Sequence, residues 1–276
     1  MHPVSLLPTP GMDWVEPMTR MEFVWIAPGA FNMGASPGDL AGPEYERPCH
    51  TVCIDHGYWI GRNLVTNRAY RLFRPGHDAV ETLRRQYPDY DLSHLERKEF
   101  DRPMQPVVRV DWDDAEAFLD WLSLLHDMRI RFALPTEEQW EYACRAGTSS
   151  PWPWGYGIEC YHANFGNGAI EERCKGFNPG MTSDVGSYDP NAWGIYDMCG
   201  NVAEMCRDIY VDYAEKERRS DRMSLGLELV DATNTSRVVR NGGWNASGSR
   251  LRSSHRFKAY SHLSRLDLGF RACINS

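Results

Sequence analysis

The groups in this chain that could do chemistry are its eight cysteines, nine histidines and scattered carboxylates. Cysteines stand at 49, 53, 144, 160, 174, 199, 206 and 273. The run Cys49-His50-Thr51-Val52-Cys53 has the composition of a metal site. On a strand, however, residues four apart point the same way, and no second ligand pair follows, so both cysteines read as thiols. His255 and His262 lie near Asp267, but seven residues apart is not a metal spacing, and His50, Asp55 and His56 form no recognisable set. The chain has no G-x-S-x-G elbow, no P-loop and no zincin helix. Its chemistry is not written in a short motif.

The elements that would position these groups are partly legible. Phe23–Gly34 reads as strand, Pro-Gly turn and strand, and Tyr58–Arg62 as another strand. Thr66 caps a helix through Phe73, and a short helix is expected over 79–87. Asp111 opens an acidic helix start, followed by Ala115, Phe118, Leu119, Leu122 and Leu125 at helical spacing. Thr136 and Gln139 form a capping box for a helix whose buried face is Trp140, Ala143 and Cys144. Beyond residue 147 helical periodicity fades, apart from 213–219, leaving short strands at Val238–Arg240 and Leu268–Ala272. So irregular a half-chain needs bound ions or dense side-chain hydrogen bonding to hold it. Residues 1–21 read as an extended leader and 22–276 as one domain.

Composition narrows the function. The net charge of -8 supplies no basic field for a phosphate backbone, so nucleic acid is not the expected partner. One local basic stretch remains, with Arg250, Arg252, Arg256, Lys258, Arg265 and Arg271. No run reaches the ~18 apolar residues of a membrane span. The first residues carry neither a basic n-region nor an apolar h-region, so a full-length chain would be cytoplasmic and its cysteines reduced.

Seven segments together resemble one family: Phe23–Gly34, Tyr58–Asn67, Pro106–Ala115, Leu134–Gly147, Asn191–Glu204, Arg237–Trp244 and Leu268–Arg271. Their order and spacing are similar to those of the formylglycine-generating enzyme (sulfatase-modifying factor) superfamily. The resemblance implies an α+β, elaborated C-type-lectin-like fold with little regular secondary structure, often holding calcium. It places a structural calcium ion on Asp197, Gly200, Val202 and Glu204, through two side chains and two carbonyls, as a hard cation prefers. The alternative is that both carboxylates cap backbone amides. A second family site would use Asn164 and the Phe165 carbonyl, but Lys175-Gly176-Phe177 puts a cation where its acid belongs, so it is not expected here.

The resemblance also shows what is missing. The oxidising members bind copper(I) through two cysteines five apart after an Arg-Gly-Gly-Ser strand, soft thiolates being what that ion selects. Alignment on Arg240, Gly242 and Trp244 puts Ala246 and Leu251 there, and Cys199, Cys206 and Cys273 do not replace the pair. Copper and copper-dependent formylglycine formation are therefore not expected. The iron-binding His-x3-His helix of the sulfoxide synthase branch is absent. A branch without catalysis, the variable proteins of diversity-generating retroelements, displays side chains between the Gly-Gly-Ser-Trp strand and Leu-Gly-Phe-Arg. The corresponding segment is Asn245–Asp267. It implies a binding surface of Asn245, Ser247, Arg250, His255, Phe257, Lys258, Tyr260, Leu263, Arg265, Leu266 and Asp267, in the mixture that adaptable surfaces use. The expected function is a module binding a protein or small molecule. The alternative is a cysteine-independent oxidoreductase or modifying enzyme.

Overall fold

The computed structural model describes residues 7–89, 91–95, 99–166, 178–215 and 236–276. In chain order the first elements are β1 (Trp14–Val15), β2 (Glu22–Ile26), β3 (Gly29–Met33), β4 (His50–Ile54) and β5 (Tyr58–Gly61). Helices α1 (Asn67–Phe73), α2 (Ala79–Gln86) and α3 (Trp112–Leu125) follow, then β6 (Phe132–Ala133) and α4 (Glu137–Arg145). The irregular half adds β7 (Ala203–Ile209), β8 (Ser236–Arg240), β9 (Arg256–Tyr260), β10 (Leu268–Gly269) and β11 (Cys273–Asn275).

These strands form three sheets. The first has the order β1-β2-β5-β11-β6, the second β10-β7-β8-β9, and β3 and β4 make a separate ribbon. The Pro-Gly turn at Pro28-Gly29 therefore does not close a hairpin: β2 pairs with β5, while β3 pairs with β4. Trp14 is buried and pairs with Phe23, so the domain takes in residues the sequence assigned to a leader. A large aromatic beside a strand of the sheet is worth more inside the core than in water.

Side-chain caps start α1, α2, α3 and α4. Thr66, Asp78 and Asp111 each accept a backbone N–H three residues on. The Thr136–Gln139 capping box closes both ways, at 3.0 and 2.9 Å. On α3, Trp112, Ala115, Phe118, Leu119 and Leu122 are buried at helical spacing, whereas Leu125 turns outward at the last turn. Helix α4 is buried nearly all round, Glu137 and Glu141 included. The helix expected over 213–219 lies mostly outside the described residues.

Candidate binding face and cation loop

Two buried glutamates on α4 organise the frame behind the 245–267 segment. Glu137 accepts from Arg256 Nε at 2.6 Å and from Arg240 Nη1 at 3.0 Å. Glu141, one turn on, accepts from Arg145 Nε at 2.8 Å and pairs with Arg240 as well. A helix presents positions i and i+4 on one face, so a single α4 face carries both carboxylates. Tyr213 packs beneath, with the Arg256 guanidinium 4.0 Å from its ring centroid. Buried charges persist only when paired and hydrogen-bonded, and these are.

A second network ties residues 39–46 to the same segment. Arg252 donates to Glu46 at 2.5 and 2.8 Å and to Asp39 at 2.8 Å. Ser254 Oγ donates to Glu46 at 2.7 Å, and His255 Nδ1 lies 3.3 Å from it. Burial alone would raise the Glu46 pKa, but the hydrogen bonds from His255, Arg252 and Ser254 pull it down to about 2. Three of the six cations of the basic stretch, Arg252, Arg256 and Arg271, are thus buried in ion pairs and offer no positive surface.

The predicted binding residues divide accordingly. Asn245, Arg250, Lys258, Tyr260 and Arg265 are exposed. Ser247, Phe257, Leu263 and Leu266 are half-buried, and Phe257 and Leu263 pack on the main core. His255 and Asp267 are buried, which corrects their assignment to a surface. His255 is held by Glu46, and Asp267 accepts Arg265 Nε at 2.7 Å while its carbonyl accepts Ala203 N–H at 2.8 Å. A strand alternates its side chains, and on β9 this sends Phe257 and Ala259 toward the core and Lys258 and Tyr260 to water. Tyr260 stacks on His262, ring planes 10° apart, and Lys258 Nζ sits 5.9 Å from the Tyr210 ring centroid. In the frame, Arg256, Phe270 and Arg271 point inward, and the half-buried Trp244 donates its indole N–H to the Leu266 carbonyl at 2.9 Å.

Ala246 and Leu251 sit behind this face. Leu251 is fully buried and Ala246 packs against the same cluster.

The expected cation loop is a tight fold of left-handed residues. Asp197, Gly200, Asn201 and the facing Asn241 have φ of 57°, 85°, 62° and 65°, a region that asparagine, aspartate and glycine enter most readily. Asn241 Nδ2 donates to both expected carbonyl ligands, Gly200 at 2.9 Å and Val202 at 3.0 Å. Glu204 is gripped by Arg271. Asp197 accepts the Gly186 N–H at 2.9 Å, and burial raises its pKa to about 6 despite that bond and the nearby Arg271 charge. Among the described residues, no group of three His, Cys, Asp or Glu side chains converges as a metal site. Asn164 Oδ1 is buried without a partner, Phe165 O accepts from Asn178, and Lys175–Phe177 lie outside the described residues.

The cysteines depart from expectation at one place. Cys160 is disulfide-bonded, whereas Cys49, Cys53, Cys144, Cys199, Cys206 and Cys273 are free. Among the described residues, no helix is long and apolar enough to cross a membrane.

The sequence pattern of the sulfatase-modifying factor enzyme 1-like domain matches residues 13–276, nearly the whole chain. The chain belongs to this family. As a sulfatase-modifying-factor-like domain it is 32% identical over 260 residues to the formylglycine-generating enzyme of Thermomonospora curvata, covering 80% of this chain and 82% of that one. It is 29% identical over 269 residues to serine/threonine-protein kinase pkn1 of Chlamydia pneumoniae, covering 92% of this chain. It spans only 38% of that relative's length, and 35% of its counterpart from Chlamydia caviae. Among solved structures, PvdO from Pseudomonas aeruginosa superimposes with a TM-score of 0.72 at 25% identity, over 98% of this chain and all of that one. Treponema denticola variable protein 1 gives 0.69 at 21% identity, over 97% of this chain and all of that one, a likeness of fold. The elaborated α+β, C-type-lectin-like architecture is shared across these proteins.

Glu137, Glu141, Glu46 and Asp39 fix the face, although nothing in the sequence alone marks them as site residues. The first two stand in the Leu-Pro-Thr-Glu…Trp-Glu-Tyr-Ala motif that carried the resemblance. Their spacing of four on a helix puts them on one side of it without marking a role.

Proposed function

We propose that this domain is a binding module that presents the outer side of β9 and the adjoining 245–251 and 260–265 turns to a protein or small-molecule partner. The observation that carries this reading is the split on β9: Lys258 and Tyr260 face water, while Arg256 of the same strand is locked to Glu137. Rigid support beneath exposed aromatic and cationic groups is what a binding face requires. The effective face is smaller than the sequence reading gave: Asn245, Arg250, Lys258, Tyr260 and Arg265, flanked by half-buried Ser247, Phe257, Leu263 and Leu266. Hydrocarbon side chains at Ala246 and Leu251 support the absence of copper-dependent oxidation, since neither can ligate a soft ion.

A structural calcium ion at Asp197, Gly200, Val202 and Glu204 is part of the proposal. Its support is the buried Asp197 carboxylate, whose charge a cation would relieve. Asn241 and Arg271 already use the other three groups, so an ion would share them. A carbonyl accepts through two lone pairs and a carboxylate through about four, so sharing is chemically open.

The test is to immobilise the protein beside a Lys258→Ala/Tyr260→Ala variant and compare what each retains from its own cell extract. A partner retained only by the native face supports the reading. Equal retention by both, or oxygen consumption with a thiol peptide, favours a cysteine-independent enzyme instead.

A further inference from the structure

Arg240, Arg252, Arg256 and Arg271 are buried, and each has a carboxylate partner. Arg109 is buried too, at 5% exposure, and among the described residues no carboxylate pairs with it. Its φ of 60° lies in the left-handed region, which long side chains rarely enter. The Arg109 backbone N–H donates to the Arg265 carbonyl at 3.0 Å and Nη1 to the Ser264 carbonyl, so the residue lies directly behind the 260–265 turn. Nη2 donates to the amide oxygen of Gln86, the exposed last residue of α2, and Nε is buried without a partner. Burial pulls the Arg109 pKa down, and the group that opposes this is the Tyr87 phenol, not a carboxylate.

Other guanidiniums in the molecule show what belongs there. Nε and Nη2 form one edge of the group. On that edge Arg271 holds both oxygens of Glu204, Arg256 both of Glu137 and Arg265 both of Asp267. The same edge of Arg109 carries one neutral amide oxygen. A buried charge is costly unless paired, and backbone strain of this kind collects where function requires it. Arg250 and Lys258, exposed on the binding face, are also without a carboxylate partner among the described residues.

We propose that the Nε–Nη2 edge of Arg109 is a carboxylate-binding site, and that its occupant is a segment of a protein partner carrying several acidic side chains. The inference rests on the binding face proposed above and names the chemistry of its partner. In the free domain the Gln86 amide holds the edge. An arriving carboxylate displaces that amide and takes Nε and Nη2 together, the bidentate pairing to which a planar guanidinium is suited. Further carboxylates of the same segment meet Arg250 and Lys258. A lone small acid would satisfy Arg109 and leave those two cations unanswered.

The nitrogen-labelled full chain is titrated with an oligoglutamate peptide, its oligoglutamine counterpart and inorganic phosphate, while NMR follows the arginine Nε–H and backbone amide signals. Loss of a signal in Arg109→Lys assigns the Arg109 Nε–H. The oligoglutamate should move that signal together with the Lys258 and Tyr260 amides, and the oligoglutamine should move none of them. Arg109→Lys should weaken oligoglutamate binding by about tenfold, as expected for a lost hydrogen bond between charged groups. Gln86→Ala, at an exposed helix end, should tighten it several-fold by removing the competing amide, a gain that a purely structural Arg109 does not predict. That second variant keeps the test open should the first fold poorly. An Arg109 Nε–H that the oligoglutamate never moves, or a Gln86→Ala variant that binds no tighter than the native chain, overturns the carboxylate site. If the Lys258 and Tyr260 amides still shift, the face reading survives that failure. If Arg109 responds and those amides do not, the face reading fails and the carboxylate site stands. Phosphate acting on Arg109 at lower concentration than the oligoglutamate overturns the acidic segment as its occupant.

Discussion

Arg271 grips Glu204 through both carboxylate oxygens, at 2.6 and 2.8 Å, and neither side chain is exposed. The same guanidinium donates to the carbonyls of Gly61 at 2.9 Å and Tyr196 at 3.1 Å. One side chain thus joins β5, the segment leading to Asp197 and β7. Removing it by Arg271→Met strands a buried carboxylate and should lower stability by about 3–5 kcal/mol. The double variant Arg271→Met/Glu204→Met should be less damaging than the single one. Urea denaturation of both checks the sign of that coupling.

Acid stability should depend on Glu46. Its folded pKa is about 2 against an ordinary 4.5, so its contribution is complete above about pH 4.5, fades as the pH falls, and is gone below about 2. A shift of this size corresponds to on the order of 3 kcal/mol. Glu46→Gln should flatten the stability profile between those limits and lower stability at neutral pH. Thermal melts from pH 2 to 7 would show it, and an unchanged slope would refute it.

Calcium should raise the melting temperature and a chelator should lower it, because an ion bound only to the folded state stabilises by mass action, about 2.7 kcal/mol at a hundredfold excess over Kd. Asp197→Asn should abolish the calcium response and keep the fold. A native protein indifferent to calcium would end the cation proposal.

On the binding face, Lys258→Ala and Tyr260→Ala should each change stability by no more than about 0.5 kcal/mol while abolishing partner retention. His255→Ala should behave oppositely. It leaves Glu46 short of a donor inside the protein and should destabilise by about 1–3 kcal/mol. Melting and retention measured on the same three proteins separate display from framework.

A sulfatase-type cysteine peptide incubated with the protein, copper and oxygen should be recovered unchanged by mass spectrometry. A peptide lighter at the cysteine, with the mass of formylglycine, would show that Ala246 and Leu251 do not mark the reacting positions.

The parts of the fold legible in the sequence were those fixed by local rules. The Thr66 and Thr136 caps, the acidic helix start at Asp111 and the α3 stripe depend on neighbours within a few positions, and each is present in the structure. Strand β9 was hidden because Arg256-Phe257-Lys258-Ala259-Tyr260 places a buried arginine where alternation leads one to expect an exposed one. Its partner, Glu137, stands 119 positions away. For the same reason His255 reads as surface: Glu46, which pairs with it, stands 209 positions away. Polar residues announce exposure only when nothing distant satisfies them.

The place of β11 has a consequence for how the molecule is made. Residues 273–275 sit between β5 and β6, pairing with both. As a ribosome delivers the chain, β5 and β6 emerge early, yet they have no strand to join them until nearly the whole domain has been synthesised. The first half must wait with a gap in its sheet and two unpaired strand edges facing outward. Non-local closure of this kind is slow, and open edges invite pairing with other chains. Loss of the last few residues would therefore divide the main sheet down its middle and leave a sticky intermediate where the folded protein should be.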